Sequence, residues 1–376
     1  MSDDQRTGKR LVLLGIGHTN ALLLRRWVTD PIPDVELTCL SDHRFGTYSG
    51  MLPAVLSGQV RESAMQLDVA ALCRAAGAQL IVDRVAGLDR QTRRLTFEHR
   101  ASLAFDALVI GIGSTTNAPK NNAMVVGVKP MQSFLTRLSD AVVQSISHRV
   151  DRPIRVAVVG GGVASIELAF CLPPFLKSCG VERHAIKIVC GGEIGSGVGP
   201  SLRRRIQRQL KRNRIAWVQG VVAHVTTQSL RLEDGSEHDA DIVIWATGAF
   251  APPLLSRLGL PADERGFIAT DEMLRTTSGE PIFAVGDAGS CVSDPHPKAG
   301  VYAVRQAPVL SSNVSRFFAG RPLKSFRAQR SFLKLINTGD GKAMGEWKGF
   351  SFQGRWVLAL KHWIDKRFMD QFRITD

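Results

Sequence analysis

The sequence predicts an α/β fold made of two similar modules, and three observations lead to this prediction. An apolar strand runs through a glycine turn into a helical pattern twice, first after residues 11–14 and again after residues 154–159. Each turn is followed later in the chain by an acid-led apolar strand that ends in small residues, at 105–114 and 240–248. The 376 residues, 44% of them hydrophobic, also suffice for two to three domains of about 150 residues. The repeated strand–turn–helix pattern is typical of Rossmann-like dinucleotide-binding domains.

The first module shows its elements in the expected order. The strand at 11–14 runs into the turn Gly15-Ile16-Gly17-His18-Thr19-Asn20, a helical pattern covers 21–27, and a second strand follows at 35–40. Gly15 and Gly17 would let backbone amides approach a pyrophosphate at the helix N-terminus. An ordinary βαβ turn without a ligand is the alternative.

Four polar residues of this module have open roles. Asn20 stands where a third glycine or alanine would allow close packing of helix on strand, and Ser41 stands where the ribose-binding acid is expected. Asp42 follows Ser41 by one residue. His18, directly after Gly17, is either a turn residue satisfied by the backbone or a contact for phosphate or a transferred proton.

The second module repeats this order. A strand at 154–159 leads into the turn Gly160-Gly161-Gly162-Val163-Ala164-Ser165, and a helix is expected over 166–176, ending near the pair Pro173-Pro174. Two such units in one chain indicate dinucleotide binding much more strongly than one.

Small residues end the later strands of both modules. Gly111, Gly113 and Ser114 follow the strand of the first module, and Gly248 follows that of the second. Their size would let backbone amides approach a cofactor. A further strand at 281–285 leads to Gly286 and Asp287, and we expect Asp287 at the start of a helix, either as its N-cap or as an acceptor for a polyol.

Composition excludes several classes of protein. No window approaches the roughly 18 apolar residues of a membrane span, and the N-terminus has no signal-peptide pattern, so a cytoplasmic protein is expected. Six cysteines without CxxC or Cys/His metal spacing indicate neither a disulfide scaffold nor a metal site. The net charge of +14 favours anionic partners.

Positive charge is concentrated in two segments. Residues 203–214 contain seven basic residues, which predict a solvated helix face, with a contact to the 2′-phosphate of NADPH as the alternative; nucleic acid is disfavoured because no aromatic residues are interleaved. Residues 321–376 hold 12 Lys/Arg against 5 Asp/Glu and three of the six tryptophans. An amphipathic helix at 355–372 would place Trp356 and Trp363 on its apolar face and Lys361 on its basic face. It would lie on a membrane surface, on the protein's own core, or on a second subunit of a homodimer.

These motifs together resemble the FAD-dependent pyridine nucleotide-disulfide oxidoreductase superfamily over about residues 9–320. Four segments (48–53, 305–310, 338–341 and 361–369) further resemble the flavoprotein module associated with selenide, water dikinase, which is itself similar to type II NADH dehydrogenases and sulfide:quinone reductases. The resemblance implies a glutathione-reductase-like fold. It would divide the chain into an FAD-binding domain at 1–120 and 255–322, an NAD(P)-binding domain at 121–254, and a basic α+β extension at 323–376.

The resemblance also implies cofactors and site residues. FAD would contact Gly15, Gly17, His18, Asn20, Ser41, Asp42, Met51, Val85, Gly111, Gly113, Ser114, Gly286, Asp287, Tyr302 and Gln306. NAD(P)H would contact Gly160, Gly162, Ser165 and Gly248, while Cys190 stands where an NADH-preferring enzyme often has an acid. Glu167 would be catalytic beside the nicotinamide, unless it only complements the positive N-terminus of its helix.

The resemblance predicts electron transfer from NAD(P)H through FAD to a quinone or a similar diffusible acceptor. Flavin chemistry needs positioning more than a protein nucleophile. Disulfide reduction is disfavoured because residues 43–53 contain no cysteine. A sulfide- or selenide-type oxidoreductase would use Cys171, Cys179 or Cys291, and a non-enzymatic flavin-binding partner of selenium metabolism is the remaining alternative.

Overall fold

The computed structural model describes residues 8–120, 122–147 and 152–374. The elements of the first half are β1 Lys9–Leu14, α1 His18–Trp27, β2 Val35–Ser41, β3 Phe45–Thr47, α2 Leu52–Leu56, β4 Gln66–Asp68, α3 Val69–Ala75, β5 Gln79–Val82, β6 Val85–Asp89, β7 Arg94–Phe97, β8 Leu103–Ala104, β9 Ala107–Ile110, β10 Val125–Gly127, α4 Phe134–Ser147, β11 Ile154–Val159 and α5 Val163–Ser178. The second half contains β12 His184–Cys190, α6 Pro200–Arg212, β13 Ala216–Gln219, β14 Val222–Val225, β15 Ser229–Leu232, β16 Glu237–Asp239, β17 Ile242–Trp245, α7 Pro253–Arg257, β18 Ile268–Thr270, β19 Ile282–Ala284, β20 Gly289–Cys291, α8 Gly300–Phe318, β21 Lys334–Asn337, β22 Ala343–Trp347, β23 Phe350–Gly354 and α9 Arg355–Asp370.

Two parallel five-stranded sheets organise the molecule. The first has the order β19-β9-β1-β2-β5 and the second the order β10-β17-β11-β12-β13. Leu11, Val12 and Leu13 of β1 are all fully buried, because helices or loops cover both faces of a parallel sheet. In each sheet the strand before the glycine turn is central, which brings the turn to the carboxyl ends of its neighbours. The predicted α/β fold with two Rossmann-like modules is confirmed.

The C-terminal extension is α+β, as predicted, and lies against the second module. Its antiparallel sheet β21-β22-β23 packs with α9 on one side and contacts α5 and α6 on the other. Glu346 on β22 accepts the Gly199 N–H just before α6 at 2.7 Å, and Ser351 on β23 bonds Ser201 at 2.7 Å. The extension is therefore docked on the module rather than joined to it only by the chain.

Two helix boundaries differ from the expectations. Helix α5 does not end near Pro173-Pro174 but continues to Ser178, two residues beyond the predicted end at Leu176. Pro174 leaves the Phe170 carbonyl without its usual N–H partner, and Gly339 of the β21–β22 turn packs so tightly on this oxygen that a Cβ there would lie 2.1 Å from it. Asp287 does not start a helix either: it lies in a single 3₁₀ turn between β19 and β20, and α8 begins only at Gly300.

No helix within the described residues is both long and apolar enough to cross a membrane. In the same part of the chain, no group of three or more His, Cys, Asp or Glu side chains is arranged to hold a metal ion.

Candidate active site

A long cleft lies at the carboxyl ends of β1, β2 and β9. It consists of two adjoining cavities of about 360 and 270 Å³. The wall that both cavities share contains Gly17, Asp42, Thr47, Gly111, Ile112, Gly113 and Gln132. One end holds Ser41 and Val85, and the other holds Ser114, Gly286 and Asp287. The structure thus brings most of the residues predicted to contact FAD into one cleft.

The glycine turns shape this cleft by close backbone packing. Gly15 has φ +80°, and a Cβ there would lie 2.7 Å from Ile112 Cα. A Cβ on Gly17 would lie 2.7 Å from the Gly111 carbonyl oxygen, whereas Gly113, with φ +74°, has open space around its Cβ position. Backbone rather than side chains therefore lines the centre of the cleft, which suits the pyrophosphate of a dinucleotide.

Asn20 braces the turn from behind instead of lining the cleft. Its side chain is fully buried, and its amide donates to the Gly15 carbonyl at 2.7 Å and to the Val109 carbonyl at 3.3 Å. A Cβ on Gly111 would lie 2.6 Å from this amide. Ser165 holds the equivalent place in the second module, where its hydroxyl donates to the Ala246 carbonyl at 3.1 Å.

Asp287 forms a polar cluster at one end of the cleft. It accepts the Ser114 hydroxyl at 2.5 Å and lies 3.1 Å from the Lys129 ammonium, which also bonds Ser114. Burial alone would raise the pKa of Asp287, but Lys129 and the Ser114 hydroxyl outweigh it and lower the pKa below its ordinary value. Lys129 follows β10 of the second module and belongs to no motif, so no sequence pattern points to it.

Two other residues predicted to contact FAD, Gln306 and Tyr302, do not line this end of the cleft. Gln306 accepts the Gly286 N–H at 2.7 Å and fixes the turn before Asp287. Tyr302 is buried, and its hydroxyl donates to the Gln329 carbonyl at 3.3 Å, away from the cleft. Lys298, which the sequence did not single out, lies over the Phe267 ring, and burial lowers its pKa to about 8.

The glycine turn of the second module is also closely packed at its first glycine. Gly160 has φ +137°, and a Cβ there would lie 2.6 Å from the Ala246 carbonyl oxygen. Gly162 and Gly248 have open space where a side chain would start. Cys190 is buried at the end of β12, and its thiol donates to the Val218 carbonyl at 3.6 Å.

A buried charged cluster surrounds Glu167 on α5. One carboxylate oxygen, Oε1, accepts the Asn337 N–H from β21 at 2.7 Å and lies 3.7 Å from Lys361 Nζ on α9. Lys361 Nζ also lies 3.3 Å from Asp365 and donates to the Gly50 carbonyl at 3.1 Å. Burial raises the pKa of Glu167 although Lys361 and the Asn337 amide oppose it, so the carboxyl holds a proton more readily than an exposed one.

Tyr48 joins this cluster to the cleft. Its hydroxyl donates to Asp365 at 3.0 Å, and its ring centroid lies 5.4 Å from that of His18 and 4.5 Å from that of Phe368. His18 lines the cleft, and burial lowers its pKa, so its ring is neutral near pH 7. Met51, three residues after Tyr48, is packed in the hydrophobic core.

Helix α9 is oriented differently from the prediction, as the position of Lys361 shows. Lys361 and Asp365 are buried with Val357 and Leu358, whereas Trp356 and Trp363 are 58% and 56% exposed. The prediction that Lys361 lies on the basic face of the helix is wrong, because ion pairs with Asp365 and Glu167 compensate its burial. The alternative that both tryptophans dock on the protein's own core is wrong as well.

The candidate redox cysteines are packed in the interior, except Cys179, which is partly exposed. Cys171, Cys190 and Cys291 are buried, and burial raises the pKa of the Cys171 thiol well above its usual range. The Cys171 thiol donates to the Asn337 carbonyl at 3.9 Å, as a packed core cysteine does.

Known proteins resemble this chain in sequence and in fold. Demethylphylloquinone reductase NdbB of Synechocystis sp. is 29% identical over 241 residues, covering 61% of this chain and 58% of that protein. The chain thus spans less than two thirds of the length of that curated relative. NDH2 from Plasmodium falciparum in complex with NADH superposes with a TM-score of 0.81 at 14% identity, covering 97% of both chains. Sulfide:quinone oxidoreductase from Aquifex aeolicus gives a TM-score of 0.80 at 16% identity, covering 97% of this chain and 92% of that one. At these identities the two structures establish the fold alone. The model of the family Pyridine nucleotide-disulphide oxidoreductase matches residues 16–307, most of the chain, and the chain belongs to that family.

Proposed function

We propose that this protein oxidises NAD(P)H and passes two electrons through FAD to a quinone or a similar diffusible acceptor. Family membership confirms the predicted FAD and NAD(P)H as cofactors. The observation that carries the choice of acceptor is the buried Glu167–Lys361 pair beside the cleft, in a region without a cysteine pair. Reduction of a quinone consumes a proton together with the electrons. Reduction of a disulfide, or oxidation of sulfide, would instead require reactive thiols on the protein.

The residues of the cleft fit FAD. The backbone at Gly15, Gly17 and Gly113 would receive the pyrophosphate, and Asp287 with Ser114 would bind the ribitol hydroxyls. Ser41, Asp42 and Val85 would lie at the adenosine end. Bound there, FAD accepts hydride from the nicotinamide and delivers two electrons to the acceptor.

The residues outside the cleft would position the nicotinamide and handle the proton. Gly160, Gly162 and Gly248 leave room for the second dinucleotide. Glu167 would hold a proton at its carboxyl for the acceptor, and Lys361, fixed by the Gly50 carbonyl, would stabilise negative charge that develops on an acceptor oxygen.

The test is an anaerobic titration followed by kinetics on one variant. Purified protein should show a flavin spectrum that NADH or NADPH bleaches and a quinone restores. Glu167→Gln should keep its flavin but lower turnover with quinone at least tenfold, about 1.4 kcal/mol of barrier. Glu182→Gln, at an exposed glutamate, is the matched control. A flavin that neither nucleotide bleaches would favour a non-enzymatic flavin protein, and unchanged turnover of Glu167→Gln would leave Glu167 only a helix-terminus role.

We also propose an anionic membrane surface as a partner, reached through an aromatic rim formed by Trp347, Phe350, Trp356 and Trp363. These side chains are between 41% and 79% exposed. Lys348 lies over the Trp347 ring and Arg367 over the Trp363 ring, so cations and aromatic rings share one surface. Trp and basic residues together are typical of the interfacial layer of a bilayer, where a lipid-soluble acceptor resides. Co-sedimentation with liposomes measures this binding.

A further inference from the structure

Asp365 adds a second buried carboxylate to the Glu167–Lys361 pair. It is only 4% exposed, its Oδ2 lies 3.3 Å from Lys361 Nζ, and its Oδ1 accepts the Tyr48 hydroxyl at 3.0 Å. In the part of the chain that the structure describes, the ion pairs of both carboxylates involve Lys361 alone. Two carboxylates and one ammonium leave an excess negative charge in a buried place, which is costly unless a proton neutralises it.

The other groups that face the cluster do not supply this compensation. Tyr48 donates to Asp365, and its pKa is raised by burial and by the two carboxylates, so it stays a neutral phenol. The Cys171 thiol on α5 also stays neutral because burial raises its pKa. Burial lowers the pKa of His362 on α9 and keeps its ring neutral near pH 7; its Nε2 lies 3.0 Å from Gln59 Oε1. Asp340, in the β21–β22 turn, adds a further negative charge nearby.

We propose that Asp365 is a positioning residue through which the cluster of Glu167, Lys361 and Asp365 retains one transferable proton for the acceptor. Its negative charge would hold the proton on Glu167, and its contact with Lys361 would keep the ammonium between the two carboxylates. Tyr48 would fix Asp365 in this place from the side of the cleft. The inference rests on the proposed function and adds to it the residue that keeps the proton on Glu167.

Quinone reduction by NAD(P)H consumes one proton, which matches the single proton that the cluster would hold. NAD(P)H, a quinone and one H⁺ give NAD(P)⁺ and a quinol. Two electrons and one proton of the quinol derive from the hydride, and the second proton derives from solvent. In the proposal this second proton leaves the carboxyl O–H of Glu167 for a quinone oxygen, and a solvent proton then replaces it.

The experiment compares Asp365→Asn with Asp370→Asn, an acid on the same helix that pairs with Lys366 and Arg373 at the surface. Two quantities are followed against pH in the flavin-loaded protein: turnover with quinone, and the infrared band of a protonated carboxylic acid, identified as that of Glu167 by its loss in Glu167→Gln. Removing the Asp365 charge lowers the proton affinity of Glu167. The midpoint of the band and the alkaline limb of turnover should therefore move at least one pH unit to the acid side, a tenfold change in proton affinity, while Asp370→Asn leaves both in place.

Identical midpoints in Asp365→Asn and the wild type would overturn the inference. If Asp365→Asn does not fold, Tyr48→Phe provides the second test, because it removes the hydroxyl that fixes Asp365 without changing the charge. It should move the band by a smaller amount in the same direction, and an unmoved band would count against the inference. The infrared titration needs neither NAD(P)H nor an acceptor, so failure of the proposed function, seen as a flavin that is not bleached, is distinguishable from failure of this inference.

Discussion

Asn20 and Ser165 show how single residues adapt the two dinucleotide turns of this protein. Each stands five residues after the first glycine of its turn, and each donates a hydrogen bond to a strand-end carbonyl. In the first module, Gly111 provides the room that the larger side chain of Asn20 needs. The departure from the usual glycine is therefore compensated across the helix–strand contact, and the backbone of the turn remains open to the cleft.

Asp287 allows a prediction about cofactor binding. Asp287→Asn removes the negative charge that pairs with Lys129 and weakens acceptance of the Ser114 hydroxyl, so the group proposed to bind the ribitol loses its orientation. We expect the purified variant to contain less than half of the wild-type FAD per chain, measured by absorbance after denaturation. Asp30→Asn, which affects a surface pair with Arg26, is the control and should retain full flavin content. Equal flavin in all three proteins would refute the ribitol assignment.

The sequence predicted the glycines, Asp287 and Glu167 because each belongs to a local pattern with a known spacing. It could not predict Lys129, Tyr48 or Lys361 as members of a site, because each has a partner in it (Asp287, Asp365 and Glu167, respectively) that lies far away in the chain. Tyr48 and Asp365, for example, are 317 residues apart. Such pairs arise from the packing of separate modules, which local periodicity does not describe.

Helix α5 continues through two prolines, and a distant turn covers the carbonyl group that they leave unpaired. Two prolines would ordinarily end it, but the carbonyl freed by Pro174 is covered by Gly339, and the first turns of the same helix carry Glu167. From the sequence alone the helix is expected to end near the prolines, because the turn that packs on it lies more than 160 residues later. The helical pattern of α9 is predictable as well, but the face that carries Lys361 is not, since burial of a lysine depends on its partner.

The contact between α5 and the β21–β22 turn gives a prediction about stability. Gly339 and Gly341 both have positive φ, +73° and +79°, but only Gly339 faces a close neighbour, Phe170. Gly341→Ala should cost about 1 kcal/mol of unfolding free energy from backbone strain alone. Gly339→Ala should cost roughly 1–3 kcal/mol more, because the added Cβ also displaces the helix backbone. Denaturant titration of both variants measures the difference, and equal losses would show that the Phe170 contact can relax freely.

At the scale of the whole molecule, the C-terminal extension connects the two modules and carries the exposed aromatic rim. It contacts α5 and α6 of the second module through its sheet and reaches Tyr48 of the first through α9. Arg204, Arg208, Lys211 and Arg212 of α6 are exposed, consistent with the solvated helix face predicted for this run, and Arg205 of the same helix donates to the Ser351 hydroxyl of β23 at 2.9 Å. The two basic segments of the sequence therefore lie on α6 and on the C-terminal extension, which contact each other.

The aromatic rim leads to a prediction about membrane binding. The protein should co-sediment with liposomes that contain anionic lipid and much less with neutral ones, because basic residues near such a surface contribute about 1 kcal/mol each. Binding should weaken as salt shortens the screening length. Replacing Trp356 and Trp363 by Ser should reduce the bound fraction while flavin absorbance in the same samples stays constant, since both side chains are exposed. Binding that is insensitive to both the lipid charge and the two substitutions would show that the aromatic rim is not the membrane-binding surface.

The distribution of the charged cluster along the chain has a consequence for biosynthesis. Glu167 lies in the middle of the chain, whereas Lys361 and Asp365 belong to the last helix described. On a ribosome, both glycine turns are made well before α9 emerges, so a nascent chain carries its dinucleotide-binding turns before Glu167 has its charged neighbours. The buried cluster can therefore form only after α9 has been made, although both glycine turns are in place long before.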